Sequence, residues 1–314
     1  MPSLQLAFKN LAPSDLAEVL PLFEPNEHEA GHVLMTEGDP HDSLLFLEHG
    51  RVELSIGGVP LTTVEAGSLL GEISLIAEGP RTVTAVATTE VVYHRLRRPA
   101  WDELRRRHHP LVWEIEKRTC KSLAARLHTL ADEIATLGAK SQLVEILPGP
   151  LSVGAPLPST PGRVAKMLAA TPGFSHGDEA WLASMAADLE VRAWKQGEHL
   201  STAAHAPLGF VLVAMGEIER FAAAEPTRGV RLAVWGPGAM AGLATLVDPR
   251  PIRGFVVATA HTTALVATTA TFRRWLSADS DRGSAFRTAV IKDLANQVTN
   301  ANATQSMLHL LGGR

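Results

Sequence analysis

Cysteine is nearly absent from this 314-residue chain: Cys120 stands alone, so no internal disulfide can form, and no Cys/His grouping has zinc-site spacing. The thirteen histidines are scattered, and the adjacent pair His108-His109 would point to different sides of a helix, so no metal site is expected. Apolar runs of membrane-spanning length are missing, and Met1 to Asn10 has no basic segment leading into an apolar core; the expectation is a cytoplasmic protein without a membrane segment. A charge excess is also missing. With 29 Lys+Arg against 33 Asp+Glu, the net charge of -4 argues against a nucleic-acid binder working through bulk electrostatics. No nucleophile elbow, metalloprotease helix, Walker loop, dinucleotide fingerprint or kinase glycine loop occurs. Neither catalytic residues nor a cofactor are therefore expected.

What the chain has is an ordinary globular composition, 46% hydrophobic and 20% charged, and enough length for about two domains. Slid against itself, it repeats. Leu16, Val19, Leu20 and Phe23 recur as Leu182, Met185, Ala186 and Leu189, and Gly31-His32-Val33-Leu34 recurs as Gly197-Glu198-His199-Leu200. Leu44-Leu45-Phe46-Leu47 with Gly50-Arg51-Val52-Glu53 answers to Phe210-Val211-Leu212-Val213 with Gly216-Glu217-Ile218-Glu219. After an insertion near Glu225 to Gly229, Gly67 to Gly71 aligns with Gly238 to Gly242, and Trp101 with Phe272. Short strands between glycine turns predict a mainly β fold with flanking helices, an α+β arrangement of two tandem β-rolls or jelly rolls, each followed by a long helix. The boundaries read as a first domain over 1–141, a proline-rich linker over 142–161 and a second domain over 162–314.

The chemistry concentrates in Gly71-Glu72-Ile73-Ser74-Leu75, followed by Pro80-Arg81-Thr82. A cyclic phosphodiester offers a locked anionic phosphate and a free 2′-hydroxyl donor. An arginine fork suits the phosphate through parallel charge-assisted bonds, and a carboxylate suits the hydroxyl. Gly71 allows close backbone approach, and Thr82 adds a donor.

This stretch resembles the phosphate-binding cassette of the cyclic nucleotide-binding domain family, in motif order and in the gap from Glu72 to Arg81. The resemblance implies a β-roll flanked by helices, with Glu72 accepting the ribose 2′-hydroxyl, Arg81 holding the phosphate, and Gly71, Ile73, Ser74 and Thr82 in supporting places. It leaves the base open. Family activators that respond to cAMP place hydroxyls on the long helix at the base, whereas the alignment puts Leu130 and Ala131 there, with Ser122 and Thr129 as the nearest hydroxyls. In kinase-type members a threonine directly after the cassette arginine goes with cGMP, and Thr82 stands there.

Projected onto the second repeat, Glu72, Ser74 and Arg81 become Leu243, Thr245 and Ile252, after Gly242. Both charged ligands are lost, although Arg250 and Arg253 flank the arginine position. The second domain is expected to be a degenerate copy that docks a partner. Over 108–139, Cys120, Leu123, Leu127, Leu130, Ile134 and Leu137 form a heptad seam, which predicts a homodimer through that helix. A weaker seam runs through Ile291, Leu294, Val298, Ala301 and Leu308. Arg163 to Ser175 is the one candidate for a helix-turn-helix, and the helix after it, Asp178 to Leu189, is acidic and aligns with Leu16 to Phe23, which argues against DNA. Arg95, Arg97, Arg98, Arg105, Arg106 and Arg107, with Trp101 among them, read as a solvated helix face. The expectation is a cyclic mononucleotide-binding sensor with an unidentified protein partner. The alternatives are a ligand-independent scaffold, or a cyclic dinucleotide receptor favoured by the arginine run.

Overall fold

The glycine-bounded apolar segments are strands in the computed structural model, which describes residues 4–40, 42–139, 141, 143–202, 205, 209–225, 228–250 and 253–312. The chain divides into one unit of Met1–Thr119 with Asp279–Ser284 and another of Cys120–Ala278 with Ala285–Arg314.

The first unit opens with helices α1 (Leu4–Ala7) and α2 (Pro13–Val19) and a 3-10 turn (Leu20–Leu22). Strands β1 (Phe23–His28), β2 (Val33–Met35), β3 (Ser43–His49), β4 (Arg51–Ile56), β5 (Val59–Glu65) and β6 (Leu69–Leu70) follow. Helix α3 (Glu72–Ala77) precedes β7 (Thr84–Ala87) and β8 (Val91–Arg97), and then come α4 (Arg98–Arg106) and α5 (Pro110–Gly138). Two antiparallel sheets result, in the orders β1-β8-β3-β6 and β2-β7-β4-β5. Leu45, Leu47, Leu70 and Tyr93 from the first sheet share one buried cluster with Met35, Val52, Ala85 and Ala87 from the second. Alternation along each strand sends these residues to one face.

The second unit contains β9 (Val144–Ile146), β10 (Ala155–Leu157), α6 (Pro161–Ala169), α7 (Glu179–Ala186), β11 (Glu190–Trp194), β12 (His199–Ser201), β13 (Gly209–Met215) and β14 (Ile218–Glu225). It continues with β15 (Arg228–Trp235), β16 (Met240–Ala241), α8 (Leu243–Val247), β17 (Gly254–Ala258), β18 (Thr262–Thr268), α9 (Thr269–Ser277) and α10 (Asp281–Gly312), whose first turn belongs to the other unit. Its sheets run β10-β11-β18-β13-β16 and β12-β17-β14-β15-β9. Without β9 and β10, both orders are those of the first unit. The irregularities repeat as well: the register of β3 on β8 shifts between Leu47 and His49, and that of β13 on β18 between Val213 and Met215. Gly50 and Gly216 both have φ +89, and an added Cβ would meet a carbonyl at 2.1 Å (Glu90) or 2.2 Å (His261), so each repeat needs glycine at this turn. The result is a duplicated architecture of two β-rich regions, each followed by a long helix.

Three sequence expectations are revised. The proline-rich stretch is more than a spacer, because β9 and β10 pair with β15 and β11 at the sheet edges, where missing proline donors cost least. The long helix starts at Pro110 because His108, with φ +56, breaks the chain after α4. The third concerns the heptad seam. Cys120, Leu123, Leu127, Leu130 and Ile134 are buried in the folded chain, and the Arg126–Asn302 and Gln305–Glu133 side-chain hydrogen bonds join α5 to α10. Apolar residues bury on the nearest apolar surface, here their own chain, so the burial of these five needs no second copy, while Leu137, the last residue of the seam, is half-buried.

Candidate functional site

Arg81 sits between α3 and β7, fixed by a reciprocal backbone pair: its N–H donates to Asp39 O at 2.9 Å, and its carbonyl accepts from Gly38 N at 2.9 Å. Its side chain turns inward and is only 4% exposed. Nη1 donates to Gly71 O at 3.0 Å and Ser74 Oγ at 3.3 Å, while Nη2 donates to Asp42 Oδ1 at 2.7 Å and Ser43 Oγ at 3.3 Å. Ser43 Oγ also donates to Asp42 Oδ1 at 2.8 Å, and Ser74 Oγ to Gly71 O at 3.1 Å. Gly71 has two reasons to be glycine. Its φ is +76, and a Cβ there would lie 2.1 Å from Arg81 Nη1.

Glu72 opens α3 and is buried. Burial pushes its carboxyl up to about 7, against the backbone amides of Glu72 and Ile73 and the positive charge of Arg81, which all favour the ionised form. At Asp42 partial burial raises the carboxyl, but the Ser43 and Arg81 hydrogen bonds and the Arg81 charge outweigh it, so the net shift is downward. Ile73 is half-buried and Thr82 exposed at the rim. A buried arginine and a buried carboxyl whose charges influence each other supply the two chemistries that an anion and a hydroxyl donor need.

A family model described as "Cyclic nucleotide-binding domain" matches residues 25–108, which contain this whole arrangement. Residues 25–108 belong to the cyclic nucleotide-binding domain family. Among curated relatives, the acetyltransferase Pat of Mycolicibacterium smegmatis is 36% identical over 89 residues, 27% of this chain and 27% of that protein. The cAMP-dependent protein kinase regulatory subunit of Neurospora crassa is 31% identical over 98 residues, 31% of this chain and 26% of that one. The shared segment is thus about a quarter of each relative's length. A solved regulatory domain of Toxoplasma gondii PKA with cAMP is similar over 85% of this chain and 86% of that one, at 16% identity and a TM-score of 0.32, too low to carry an argument about ligand. The matched segment is described by what it binds, and it recurs here in an acetyltransferase and in a kinase regulatory subunit alike.

Around the cyclic nucleotide-binding domain five of the six arginines of the run are ion-paired. Arg97 pairs with Glu24, Arg98 with Asp102, Arg105 with Glu78, Arg106 with Glu103 and Arg107 with Glu18, and Arg95 donates to the Tyr93 hydroxyl. Trp101 is a core residue at 1% exposure and does not stand among them at the surface. The cationic strip that favoured a dinucleotide is spoken for by the chain's own carboxylates. Among the described residues, no helix is long and apolar enough to cross a membrane.

Ser122, Thr129 and Leu130 fall in the second unit. There Leu130 is fully buried, Thr129 Oγ1 donates to Ala125 O at 3.2 Å, and Ser122 is exposed. At the second cassette, Gly242 keeps φ +78 and α8 keeps its place, with Leu243 fully buried and Thr245 half-buried. Arg250 is bound to Asp248 at 2.6 Å and to Ala125 O at 3.3 Å, and Arg253 reaches Thr136 Oγ1 at 3.5 Å. Ile252 lies outside the described residues. Asp42 and Ser43 are the site residues that sequence reasoning missed. A signal existed: after the insertion the repeat alignment places Leu243 at Glu72 and Ile252 at Arg81, and before it the alignment that sets Phe210 at Leu44 places Leu208 at Asp42, so three polar positions become aliphatic together.

Proposed function

We propose that this chain is a cyclic nucleotide-responsive regulatory protein. The first unit, closed as a β-roll, takes cAMP or cGMP at Gly71, Glu72, Ile73, Ser74, Arg81 and Thr82. Arg81 receives the cyclic phosphate and Glu72 the 2′-hydroxyl. The observation that carries this reading is the buried Arg81 guanidinium, organised by Gly71, Ser74, Ser43 and Asp42 next to a buried carboxyl. The family match over 25–108 supports it.

Of the acceptors on Arg81, the Asp42 carboxylate is 68% exposed and can swing into water, whereas Gly71 O is fixed by the backbone. An incoming phosphate therefore displaces Asp42 first. The same residue's carbonyl accepts the Arg98 N–H at 2.7 Å, at the start of α4, and Arg105 of α4 is paired at 3.0 Å with Glu78, just past α3. Ligand arrival at Asp42 thus acts on its tie to the start of α4, and α4 leads into α5, whose later turns belong to the second unit. A ligand shifts such an equilibrium only by its differential affinity for the two arrangements. The second unit and an unidentified protein partner receive the change.

Isothermal titration of the full chain with cAMP and cGMP tests the reading. Arg81→Ala is expected to weaken binding by roughly 2 to 5 kcal/mol, the loss of one partner in a buried charge pair. Unchanged affinity in that variant, or no binding of either nucleotide by the parent, would remove the assignment.

A further inference from the structure

The inner face of one sheet in the second unit differs from its counterpart in the first in a coordinated way. In the first unit, the apolar side chains of Met35 on β2, Leu54 on β4 and Val64 on β5 pack on the shared core. The equivalent places in the second are Ser201 on β12, Arg220 on β14 and Trp235 on β15. The ladders establish the match. Met35 and Leu54 both pair with Ala85 as Ser201 and Arg220 both pair with Val256, and Val52 pairs with Val64 as Ile218 pairs with Trp235. Three apolar side chains have become three hydrogen-bond donors.

All three stay buried: Ser201 is 1% exposed, Arg220 5% and Trp235 2%. Among the described residues, Ser201 Oγ, Arg220 Nη2 and Trp235 Nε1 have no hydrogen-bond partner. They lie on one face of the same sheet, on β12, β14 and β15. Ser201 and Arg220 flank Val256 on its two sides, and Trp235 lies diagonally from Arg220, which pairs with Ala233 on the same strand. Val256, Ala233 and Trp235 all belong to the interior cluster of this unit, so the row faces inward.

A buried guanidinium with an N–H left without a partner is costly for a core to carry. Burial lowers Arg220 to about 10, with the Asp132 carboxylate partly opposing the shift. Asp132 itself is 56% exposed and stands 4.0 Å from Arg253. The other nearby acid, Asp248, is engaged by Arg250. Three arginines share two carboxylates, and the neighbouring His128 is depressed chiefly by burial, with Arg220 and Arg250 adding to the effect although its bond to Asp248 O opposes it. The unit has thus exchanged the acid and base of the cassette for donors and positive charge on the facing sheet.

We infer that the second unit binds a small oxyanion on this inner sheet face, with the Arg220 guanidinium as its charge partner and Ser201 Oγ and Trp235 Nε1 as further donors. A set made only of donors selects a ligand made of acceptors, and the net positive charge selects an anion; phosphate, free or carried on a small molecule, has both properties. The inference is independent of the nucleotide reading, since the two sites share no residue.

The test uses the full chain carrying Arg81→Ala, so that the first cassette contributes nothing. Unfolding is followed by tryptophan fluorescence in inorganic phosphate and in sodium chloride of equal ionic strength. The expected result is a saturable rise in Tm specific to phosphate. Adding Arg220→Leu, the side chain of the first repeat, should raise the phosphate concentration needed by about tenfold or more, and Ser201→Met should act in the same direction but less. No phosphate-specific shift in the parent, or an equal shift with Arg220→Leu, overturns the inference. Should Arg220→Leu not fold, Arg220→Lys keeps the charge without the planar fork, and line broadening of the phosphate 31P signal reads the affinity. Binding no weaker than the parent's would then overturn it as well.

Discussion

The Arg81 guanidinium, 4% exposed, donates at 2.7 Å to an Asp42 carboxylate that is 68% exposed, so one buried group is held by one that water can release. An ion pair with so exposed a partner contributes about 0.2 to 1 kcal/mol. Asp42→Asn removes the competing charge while keeping the side-chain shape. The expected outcome in titration is tighter cyclic nucleotide binding by up to about fivefold, the conversion of that energy into affinity. Weaker binding would mean that Asp42 positions Arg81 for the ligand instead of competing with it.

Gly71→Ala meets two obstacles at one atom. The φ of +76 disfavours any side chain, and the new Cβ would lie 2.1 Å from Arg81 Nη1 and 3.2 Å from Ser43 O. The left-handed backbone alone costs about 1 to 2 kcal/mol, and Arg81 must also leave its place on Gly71 O. Thermal unfolding should show the loss of stability, and titration should show nucleotide affinity falling with it. Retained affinity in a folded variant would contradict the site geometry.

Two buried carboxyls give the pH dependence a definite sign. Glu72 is raised from 4.5 to about 7 and Asp293 from 3.8 to about 6, both chiefly by burial. In each case the folded chain keeps a proton that the unfolded chain has already released. Their contribution is therefore complete below the unfolded values and is lost as pH rises through the folded ones. Without ligand, stability should fall between about pH 4 and 7 from these two groups, and Glu72→Gln should flatten the first-unit share. Nucleotide affinity should move the opposite way, rising between about pH 6 and 8 as Glu72 ionises to accept the 2′-hydroxyl. Parallel stability profiles for parent and Glu72→Gln would refute the assignment of that proton.

What could be read from the sequence, and what could not, follows from the range of each interaction. Strands announced themselves because alternation and turn glycines are local, and the repeat announced itself because Gly50 and Gly216 meet the same steric demand. The match between Glu72 and Arg81 was visible because nine positions separate them along one chain segment. Asp42 was invisible by the same logic, since its bond to Arg81 crosses 39 positions and a lone aspartate before a strand resembles any other. The heptad seam of α5 is legible as apolar, but periodicity names no partner, and only the fold shows that Leu127 and Ile134 are covered by their own chain. Arg220 required both sources: the alignment sets it against Leu54, and only the ladder shows that its strand position faces inward.

The α5 seam supplies the last prediction. Leu127 is 1% exposed and Ile134 fully buried in the second unit, and His128 of the same stretch bonds Asp248 O at 3.0 Å. If these side chains serve the core of that unit, Leu127→Ala leaves a cavity where a whole isobutyl group was and costs about 2 to 5 kcal/mol. Calorimetry should show the loss in the transition that the oxyanion of the second unit shifts, since the seam and Arg220 lie in one unit. Light scattering should give the same molar mass for parent and variant across a dilution series, because the substitution removes no surface that a second copy could use. A fall in molar mass on Leu127→Ala, with the transition temperature unchanged, would return the seam to an interface between chains.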